Sequence, residues 1–287
     1  MTRYLSKTPI EVFGNDAIIQ GDGFKSALKQ QYCKYIKGTC VKPRKSEPHV
    51  KVGICTLGST VAGDTEVKPI IICPQRVKEE TMFETIRQKY LKHWENVKWI
   101  QEVNIGVGGS VDYVAVEVDE NERVKDFLCV ELQAGGTTGS PYPAVEELKQ
   151  YGCFQHASYN YGINWANEFT KTMMQQAYKK GKIVESWGRK IVFVIQDVAM
   201  DYIQKSNDCS KVVLKNDKMP VDFCMFSLEW HEDIREWKLQ FNNILSTTID
   251  GINTILGGAS EEDYLTEEEF IENIERKGIA DLVLRRY

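Results

Sequence analysis

Apolar positions in the chain follow a helical spacing in one long segment and alternate in the two segments after it. Between residues 76 and 99 they fall three to four residues apart, which predicts one amphipathic helix. Residues 111–118 and 127–132 are rich in β-branched and aromatic side chains and predict two β-strands. The polar segment 119–126 predicts the connection between them, so the pair should form an antiparallel hairpin.

The rest of the chain continues this mixture of helices and strands. Residues 190–196, with the sequence KIVFVIQ, predict a buried strand, and 221–226 predict another. Further helices are predicted at 144–152, 163–180, 228–245 and 267–276. Gly181 is a plausible end of the second of these helices. Helix, hairpin, helix and strand in this order predict an α/β fold with a mixed central sheet flanked by helices.

Residues 1–75 have a different character from the rest of the chain. They are rich in Gly, Pro, Lys and Thr, and only 50–54 and 70–73 have strand-like patterns. The sequence therefore predicts an irregular N-terminal region over 1–75. Residues 76–287 are expected to form the α/β core with a C-terminal helical extension.

Composition narrows the class of protein. The chain has 287 residues, of which 42% are hydrophobic and 27% charged, as in ordinary globular proteins. No apolar run is long enough for a membrane span, and the N-terminus lacks the apolar region of a signal peptide, so we expect a cytoplasmic protein without membrane contact. The net charge is −5, yet residues 1–100 hold 17 Lys and Arg against 10 Asp and Glu. This basic third is either a local footprint for phosphates or a set of scattered solvated lysines.

Two carboxylates are predicted to face each other across the hairpin. If the connection is centred between Asn121 and Glu122, Asp112 lies opposite Glu131, and Gln133 follows on the same face. The other residues of that face are apolar: Val114, Val116, Phe127 and Cys129. Opposed carboxylates on an apolar face repel each other and lose hydration, and a divalent cation between them removes that cost. The alternative is a register slip or bulge that turns one carboxylate to solvent.

A third acid precedes this pair. Glu102 lies ten residues before Asp112, where a helix-to-strand connection is predicted. From there its carboxylate could reach the same metal ion, although a solvated loop acid is the more common case.

An Asp at the start of one strand, followed by Glu-x-Gln on the next, resembles the PD-(D/E)XK nuclease core with Gln133 in place of the usual Lys. The wider arrangement is similar to the NotI family of restriction endonucleases over roughly residues 30–204. The matching segments are Cys33, then CVKPRKS at 40–46, IC at 54–55, ICPQR at 72–76, QEV at 101–103, VDYV at 111–114, VELQA at 130–134, GINW at 162–165, WG at 187–188 and IQD at 195–197.

The resemblance implies a type II restriction endonuclease: a homodimer that cuts double-stranded DNA at a short palindrome with Mg²⁺. It implies that Asp112 and Glu131 ligate Mg²⁺ and that Glu102 assists a metal or its waters. Gln133 would stand where Lys orients the attacking water, but an uncharged amide brings no positive charge to the phosphate. A cognate DNA methyltransferase encoded nearby is the partner expected of such an enzyme.

Four of the eight cysteines, Cys33, Cys40, Cys55 and Cys73, fall within the N-terminal region. Their spacing lacks the CxxC pairs of common zinc sites, so spacing alone also allows four independent buried thiols. The resemblance implies a structural four-cysteine site holding iron, and thiolates accept Zn²⁺ equally well. Such a metal clip would hold the basic side chains Lys42, Arg44, Lys45 and Arg76, which suit phosphates or guanine edges. The alternative for these four is a solvated basic loop.

Two other functions remain open. The same chemistry could serve repair or recombination without a palindromic target. Alternatively, the chain could be a metal-stabilised DNA-binding module without catalysis. Catalysis is favoured because a simple binder does not need Asp112, Glu131 and Gln133 on one hairpin face.

Overall fold

The computed structural model describes residues 6–44, 46–61, 64–257, 266–269 and 271. Seven strands form a mixed sheet in the order β11-β13-β12-β10-β9-β8-β7. Their bounds are β7 Val97–Asn104, β8 Ser110–Val118, β9 Val124–Leu132, β10 Ile191–Gln196, β11 Val213–Leu214, β12 Val221–His231 and β13 Glu236–Thr247. Strand β10 runs parallel to both of its neighbours, and the other neighbours are antiparallel. The predicted α/β class and mixed central sheet are confirmed.

Helices cover this sheet on both faces. The helices of the described residues up to Gly257 are α1 Phe24–Gln30, α2 Pro74–Val77, α3 Glu80–Tyr90, α4 Tyr142–Tyr151, α5 Met174–Ser186, α6 Asp197–Ser206 and α7 Ile249–Gly257, of which α1 and α4 pack in the core of the N-terminal region. A 3₁₀ turn spans Gly106–Gly108, and a π-helical segment, Ala166–Met173, leads directly into α5. One core packs the π-helical segment, α5, α6 and α7 on one face of the sheet, and a second core packs α3 on the other. No described helix is long and apolar enough to cross a membrane.

Residues 1–75 are not irregular, which corrects the prediction. They contain α1 and six strands: β1 Pro9–Val12, β2 Asn15–Asp16, β3 Tyr32–Cys33, β4 Gly38–Thr39, β5 Ile54–Ser59 and β6 Lys68–Ile71. Four of these form a second sheet in the order β2-β1-β5-β6. Most of them are very short, so alternation has too few residues to show in the sequence. The core of this sheet also includes Val145 and Leu148 of α4, so it draws residues from both sides of position 75.

A buried amide joins the two sheets. The side chain of Gln196, at the end of β10, accepts a hydrogen bond from Ile71 N–H (2.9 Å) and donates one to Pro69 O (2.5 Å). It therefore satisfies backbone groups at the end of β6 from the end of a strand in the other sheet. This contact fixes the N-terminal sheet beside the carboxyl ends of β9 and β10.

Three predicted helices differ in the structure. The helix predicted over 76–99 is α2 and α3 followed by the start of β7, because the chain turns before Val97 and pairs with β8. The helix predicted over 228–245 is wrong: these residues form the β12–β13 hairpin, with Trp230 opposite Trp237. Of the helix predicted over 267–276, Glu267–Glu269 and Ile271 are helical, and the rest lies outside the described residues.

Gly181 does not end its helix. Helix α5 continues to Ser186, and the lack of a side chain at Gly181 serves packing instead. A Cβ there would lie 2.8 Å from both Ile249 Cδ1 and Val221 Cγ2. Glycine thus lets α5 approach the sheet and α7 closely, which brings the neighbouring Lys180 onto the sheet.

Candidate active site

The hairpin register is the predicted one. Tyr113 pairs with Val130 and Glu117 with Asp126, as a connection centred between residues 121 and 122 requires. The next position of this register places Asp112 opposite Glu131. No slip separates them, because the only irregularity of this pair lies at the far end, between Glu117 and Val118.

Backbone and carboxylate groups of the two strands bind each other where the regular pairing ends. Leu132 N–H donates a hydrogen bond to Asp112 Oδ2 (2.8 Å). The Asp112 carboxylate is therefore oriented by the opposite strand. The backbone N–H of Asp112 favours the charged form of the Glu131 carboxyl. The two lie at the carboxyl end of β9, beside the parallel strand β10.

The surroundings of the pair are apolar, as predicted. Val114, Val116 and Cys129 lie in the core that the π-helical segment and α5 cover. Glu131 is 5% exposed, whereas Asp112 is half-buried. One carboxylate is thus almost removed from water, and the other remains accessible from outside.

A lysine that the sequence analysis missed completes this site. Lys180 of α5 is buried, and its Nζ lies 2.6 Å from Glu131 Oε1 and 2.7 Å from Ser110 O. The ammonium therefore has one ionic and one carbonyl partner. Because burying a carboxylate without a counter-charge is costly, Lys180 is what allows Glu131 to sit here.

A signal for Lys180 exists in the sequence. Met173, Ala177 and Val184 form an apolar stripe at helical spacing, and Lys180 falls on that stripe. A lysine on the face of a helix that packs on the core requires a buried acceptor. The sequence therefore indicates that Lys180 is buried. Its acceptor, Glu131, follows only from the way α5 crosses the hairpin.

The pKa of Glu131 is raised to about 7. Burial is the largest cause, because loss of hydration penalises the charged form. The Lys180 ammonium and the hydrogen bond from Asp112 N–H oppose this rise, and the Asp112 charge adds to it. A cation at this position would favour the ionised form of Glu131.

Gln133 follows directly after β9. Its backbone N–H donates to Val194 O (2.9 Å), so the residue is held against the end of β10. Its side-chain Nε2 donates to Ala134 O (3.1 Å), and the side chain is half-buried. The amide thus lies two residues after Glu131, and its nitrogen is already hydrogen-bonded to the adjacent backbone.

Glu102 lies opposite Asp112 on the other side of β8. Gln101 pairs with Tyr113 and Val103 with Val111, which leaves Glu102 facing Asp112. Glu102 is exposed and has φ 54°, in the left-handed region that non-glycine residues avoid. Among the described residues, no three His, Cys, Asp or Glu side chains converge closely enough to hold a metal ion. The third carboxylate is therefore adjacent to the pair but does not join it.

The glycine-rich loop after Gln133 packs against residues 160–168. Asn164 N–H donates to Gly136 O (2.9 Å), and Thr138 N–H donates to Gly162 O (2.9 Å). A Cβ at Gly136 would lie 2.4 Å from Glu168 Oε1, so a larger residue there would displace the Glu168 side chain. The loop acts here as a packed connection.

The four N-terminal cysteines are all buried. Burial is the main cause that raises the pKa of the Cys33, Cys55 and Cys73 thiols. The charge of each thiolate also affects the pKa of other thiols in this set, including Cys40. The four cysteines therefore lie close enough to interact electrostatically, in one buried neighbourhood. In the part of the chain that the structure describes, however, no three of these sulfurs are arranged closely enough to ligate one metal ion.

The basic residues that the sequence predicts to contact DNA lie in different environments. The prediction that Arg76 contacts DNA is wrong, because its guanidinium is fully buried. It binds Glu11 Oε2 (2.7 Å), Glu79 and Trp237 O (3.0 Å). This network ties α2 to β1 and β13.

Two of the other three basic residues lie at the surface. Lys42 is exposed, and its Nζ donates to Ile72 O (3.3 Å). Arg44 is half-buried over the Tyr142 ring, 4.5 Å from its centroid, and pairs with Glu146 at 3.2 Å. Lys45 lies outside the described residues.

Comparison with known proteins adds no identification: no protein-family model matches the chain, and no curated protein matches it.

Proposed function

We propose that the protein is a type II restriction endonuclease that hydrolyses phosphodiester bonds of double-stranded DNA with Mg²⁺. The observation that carries the proposal is the Asp112–Glu131 pair. Two carboxylates lie opposite each other on adjacent strands, with Asp112 held by the backbone N–H of Leu132 and Glu131 by the Lys180 ammonium. Lys180 pairs with Glu131 and offsets only one of the two negative charges, so a cation beside Asp112 would still stabilise the pair.

The donor set fits Mg²⁺. This ion takes hard oxygen ligands and is commonly held by one or two carboxylates plus substrate phosphate oxygens. Asp112 and Glu131 supply two such carboxylates, and the half-buried Asp112 leaves a route for a phosphate. When bound, Mg²⁺ would stabilise negative charge on the scissile phosphate.

The remaining side chains have supporting roles. Gln133 is two residues from Glu131 and would orient the attacking water through its amide. Lys180 positions Glu131 and offsets part of the negative charge of the two acids. Lys180 therefore supplies a positive charge to the site. Gln133, at the position where the nuclease core usually has Lys, supplies none.

The topology is compatible with the proposal. Helix α3, the β7–β8–β9 meander, helices α4 and α5, and then β10 parallel to β9 follow the helix, hairpin, helix and strand order predicted from the sequence. The candidate residues lie on the central hairpin of this unit. One fold can host many functions, so the proposal is carried by the carboxylate pair.

Two consequences follow for partners. A palindromic target is read by a symmetric homodimer, so we propose that two copies act together on DNA. A restriction enzyme in the cytoplasm also requires protection of the host DNA, which a cognate methyltransferase would supply.

We also propose that Cys33, Cys40, Cys55 and Cys73 hold one structural iron or zinc ion. Four thiols in one buried neighbourhood are a suitable donor set for either metal. Bringing three or four sulfurs together would require local adjustment of the segments that carry them. The ion would then stabilise the fold of the N-terminal sheet.

Digestion of plasmid DNA tests the function. Purified protein is incubated with plasmid and Mg²⁺, and products are separated on a gel. Discrete fragments that end at one sequence support a restriction enzyme. A smear would instead indicate a nuclease without a fixed target, and intact DNA that the protein still binds would indicate a non-catalytic module.

A further inference from the structure

A basic groove lies between α1 and α4, away from the carboxylate pair. The cavity has a volume of about 610 Å³. Eight residues line it: Lys25, Leu28, Lys29, Gln31, Leu148, Lys149, Tyr151 and Gly152. Three of them are lysines, and none is acidic.

The three lysines differ from those lysines of the chain that acidic side chains hold in place. Lys98, Lys125 and Lys211, for example, are paired with Glu122, Glu117 and Asp250. Within the described ranges, by contrast, Lys25, Lys29 and Lys149 form no ion pair. Only Lys149 has a polar contact, at 3.4 Å from Tyr142 Oη. Three lysines thus line one groove that has no acidic residue in its lining, although Lys149 lies within electrostatic range of an acid, Glu146. This excess of positive charge favours an anionic ligand.

The floor and rim of the groove are apolar. Leu28 and Leu148 are buried beneath the lysines, whereas Tyr151 is 56% exposed. An exposed aromatic ring beside ammonium groups can pack on a sugar or a base while the lysines contact phosphates. The combination matches the chemistry of nucleic acid better than that of a simple inorganic anion.

The spacing of the lysines suits an extended polyanion. Lys25 and Lys29 are four residues apart on α1, so they lie about 6 Å apart along one helix face. Lys149 reaches the groove from a second helix. One DNA strand carries a phosphate for about every 3.4 Å of helix axis, so separate point charges can contact different phosphates.

The position of the groove relates it to the carboxylate pair. Helix α4 begins at Tyr142, nine residues after Gln133, and ends beside the groove at Tyr151. Its ten residues span about 15 Å, or four to five base-pair steps of a duplex. At the first turn of α4, Arg44 lies over the Tyr142 ring. Arg44 is paired with Glu47 and Glu146, whereas the groove lysines, which form no ion pair with a described acid, lie at the end of α4 that borders the groove.

We propose that the groove between α1 and α4 binds the sugar–phosphate backbone of duplex DNA that flanks the cleaved bond. This inference rests on the proposed function, because it assigns to the groove the same DNA that the carboxylate pair would cut. The groove contributes affinity that is independent of sequence, and the lysines take no part in the chemistry.

The test is the salt dependence of binding. Asp112→Ala serves as a parent that binds DNA without cutting it. The probe is a fluorescent duplex of random sequence several helical turns long, and affinity is measured by anisotropy over a range of KCl concentrations. The variant adds K25Q, K29Q and K149Q to the parent. The matched control adds K98Q, K125Q and K211Q, three lysines that have acidic partners.

Log K falls as log salt rises, and each lost phosphate contact makes this slope less steep by about 0.9. The slope of the groove variant should therefore be about two to three less steep than that of the parent, and the variant should bind more weakly at low salt. The control should keep the slope of the parent. Equal slopes for the groove variant and the control would overturn the inference and leave the proposed function intact. Failure of the parent to bind any duplex would overturn the proposed function itself. Thermal unfolding verifies that the variants are folded.

Discussion

Lys180 Nζ lies 2.6 Å from Glu131 Oε1, although the two residues are 49 positions apart in the chain. Both side chains are buried, and Ser110 O accepts the second hydrogen bond of the ammonium. The contact links α5 to the hairpin at the position of the carboxylate pair. It holds Glu131 in place before any cation binds.

A double-mutant cycle should reveal this link in metal-free buffer above pH 7. Lys180→Met leaves the Glu131 carboxylate buried without its counter-charge, so the free energy of unfolding should fall by about 3 kcal/mol. Adding Glu131→Gln removes that charge and should restore part of the loss. Urea unfolding of the four proteins gives the coupling energy, which we expect to exceed about 1 kcal/mol. Strictly additive effects would show that the two groups do not interact.

The pH dependence of stability should report the raised pKa of Glu131. A glutamate ordinarily titrates near 4.5, and Glu131 titrates at about 7 in the fold. Between these values the folded chain keeps a proton that the unfolded chain releases, so stability falls as pH rises. Relative to Glu131→Gln, the wild type should lose up to about 3 kcal/mol between pH 4.5 and 7 and little more above. Urea unfolding in EDTA at several pH values measures the difference, and a constant difference would contradict the burial argument.

The sequence predicted the hairpin well because two independent signals agreed. Alternating apolar residues defined the strands, and a single polar connection fixed the register that sets Asp112 opposite Glu131. Lys180 could not be assigned in the same way, because its contact depends on how a distant helix crosses the sheet. Arg76 was misassigned for a related reason: its acidic partner, Glu11, lies 65 residues away in another sheet.

The β12–β13 hairpin shows a second limit. Its apolar residues are frequent enough to satisfy a helical spacing, and the shared register of the two strands is a tertiary property. Short strands such as β1 and β2 could not be predicted for the opposite reason. They contain too few residues for any periodic pattern of apolar positions to appear.

Gln133 should matter less for catalysis than the two carboxylates. A neutral amide supplies orientation through hydrogen bonds of roughly 1 kcal/mol each, so Gln133→Ala should slow single-turnover cleavage only about tenfold. Gln133→Lys should also reduce activity, because Lys180 already places an ammonium beside Glu131. Rates at saturating Mg²⁺ give the ranking. If Gln133→Ala were as inactive as Asp112→Ala, the amide would do more than orient water.

The cysteine neighbourhood should contain about one tightly bound iron or zinc ion per chain, since four thiolates make one tetrahedral site. Elemental analysis of the purified protein measures this content. Cys55→Ser should lower metal content and stability, whereas Cys224→Ser, at a buried cysteine of the large sheet, should keep the metal. A well-folded wild type without metal would contradict the proposed site.

The most direct measurement is single-turnover cleavage of plasmid DNA by the wild type, Asp112→Ala and Glu131→Ala, with Mg²⁺ and with EDTA. The wild type should cut only with Mg²⁺. Each variant should lose at least about a thousandfold in rate, or roughly 4 kcal/mol, because it lacks one of two metal ligands. Binding to DNA should persist in both variants, since neither change removes a basic group. Cleavage by either variant at the wild-type rate would show that this carboxylate pair is not the active site.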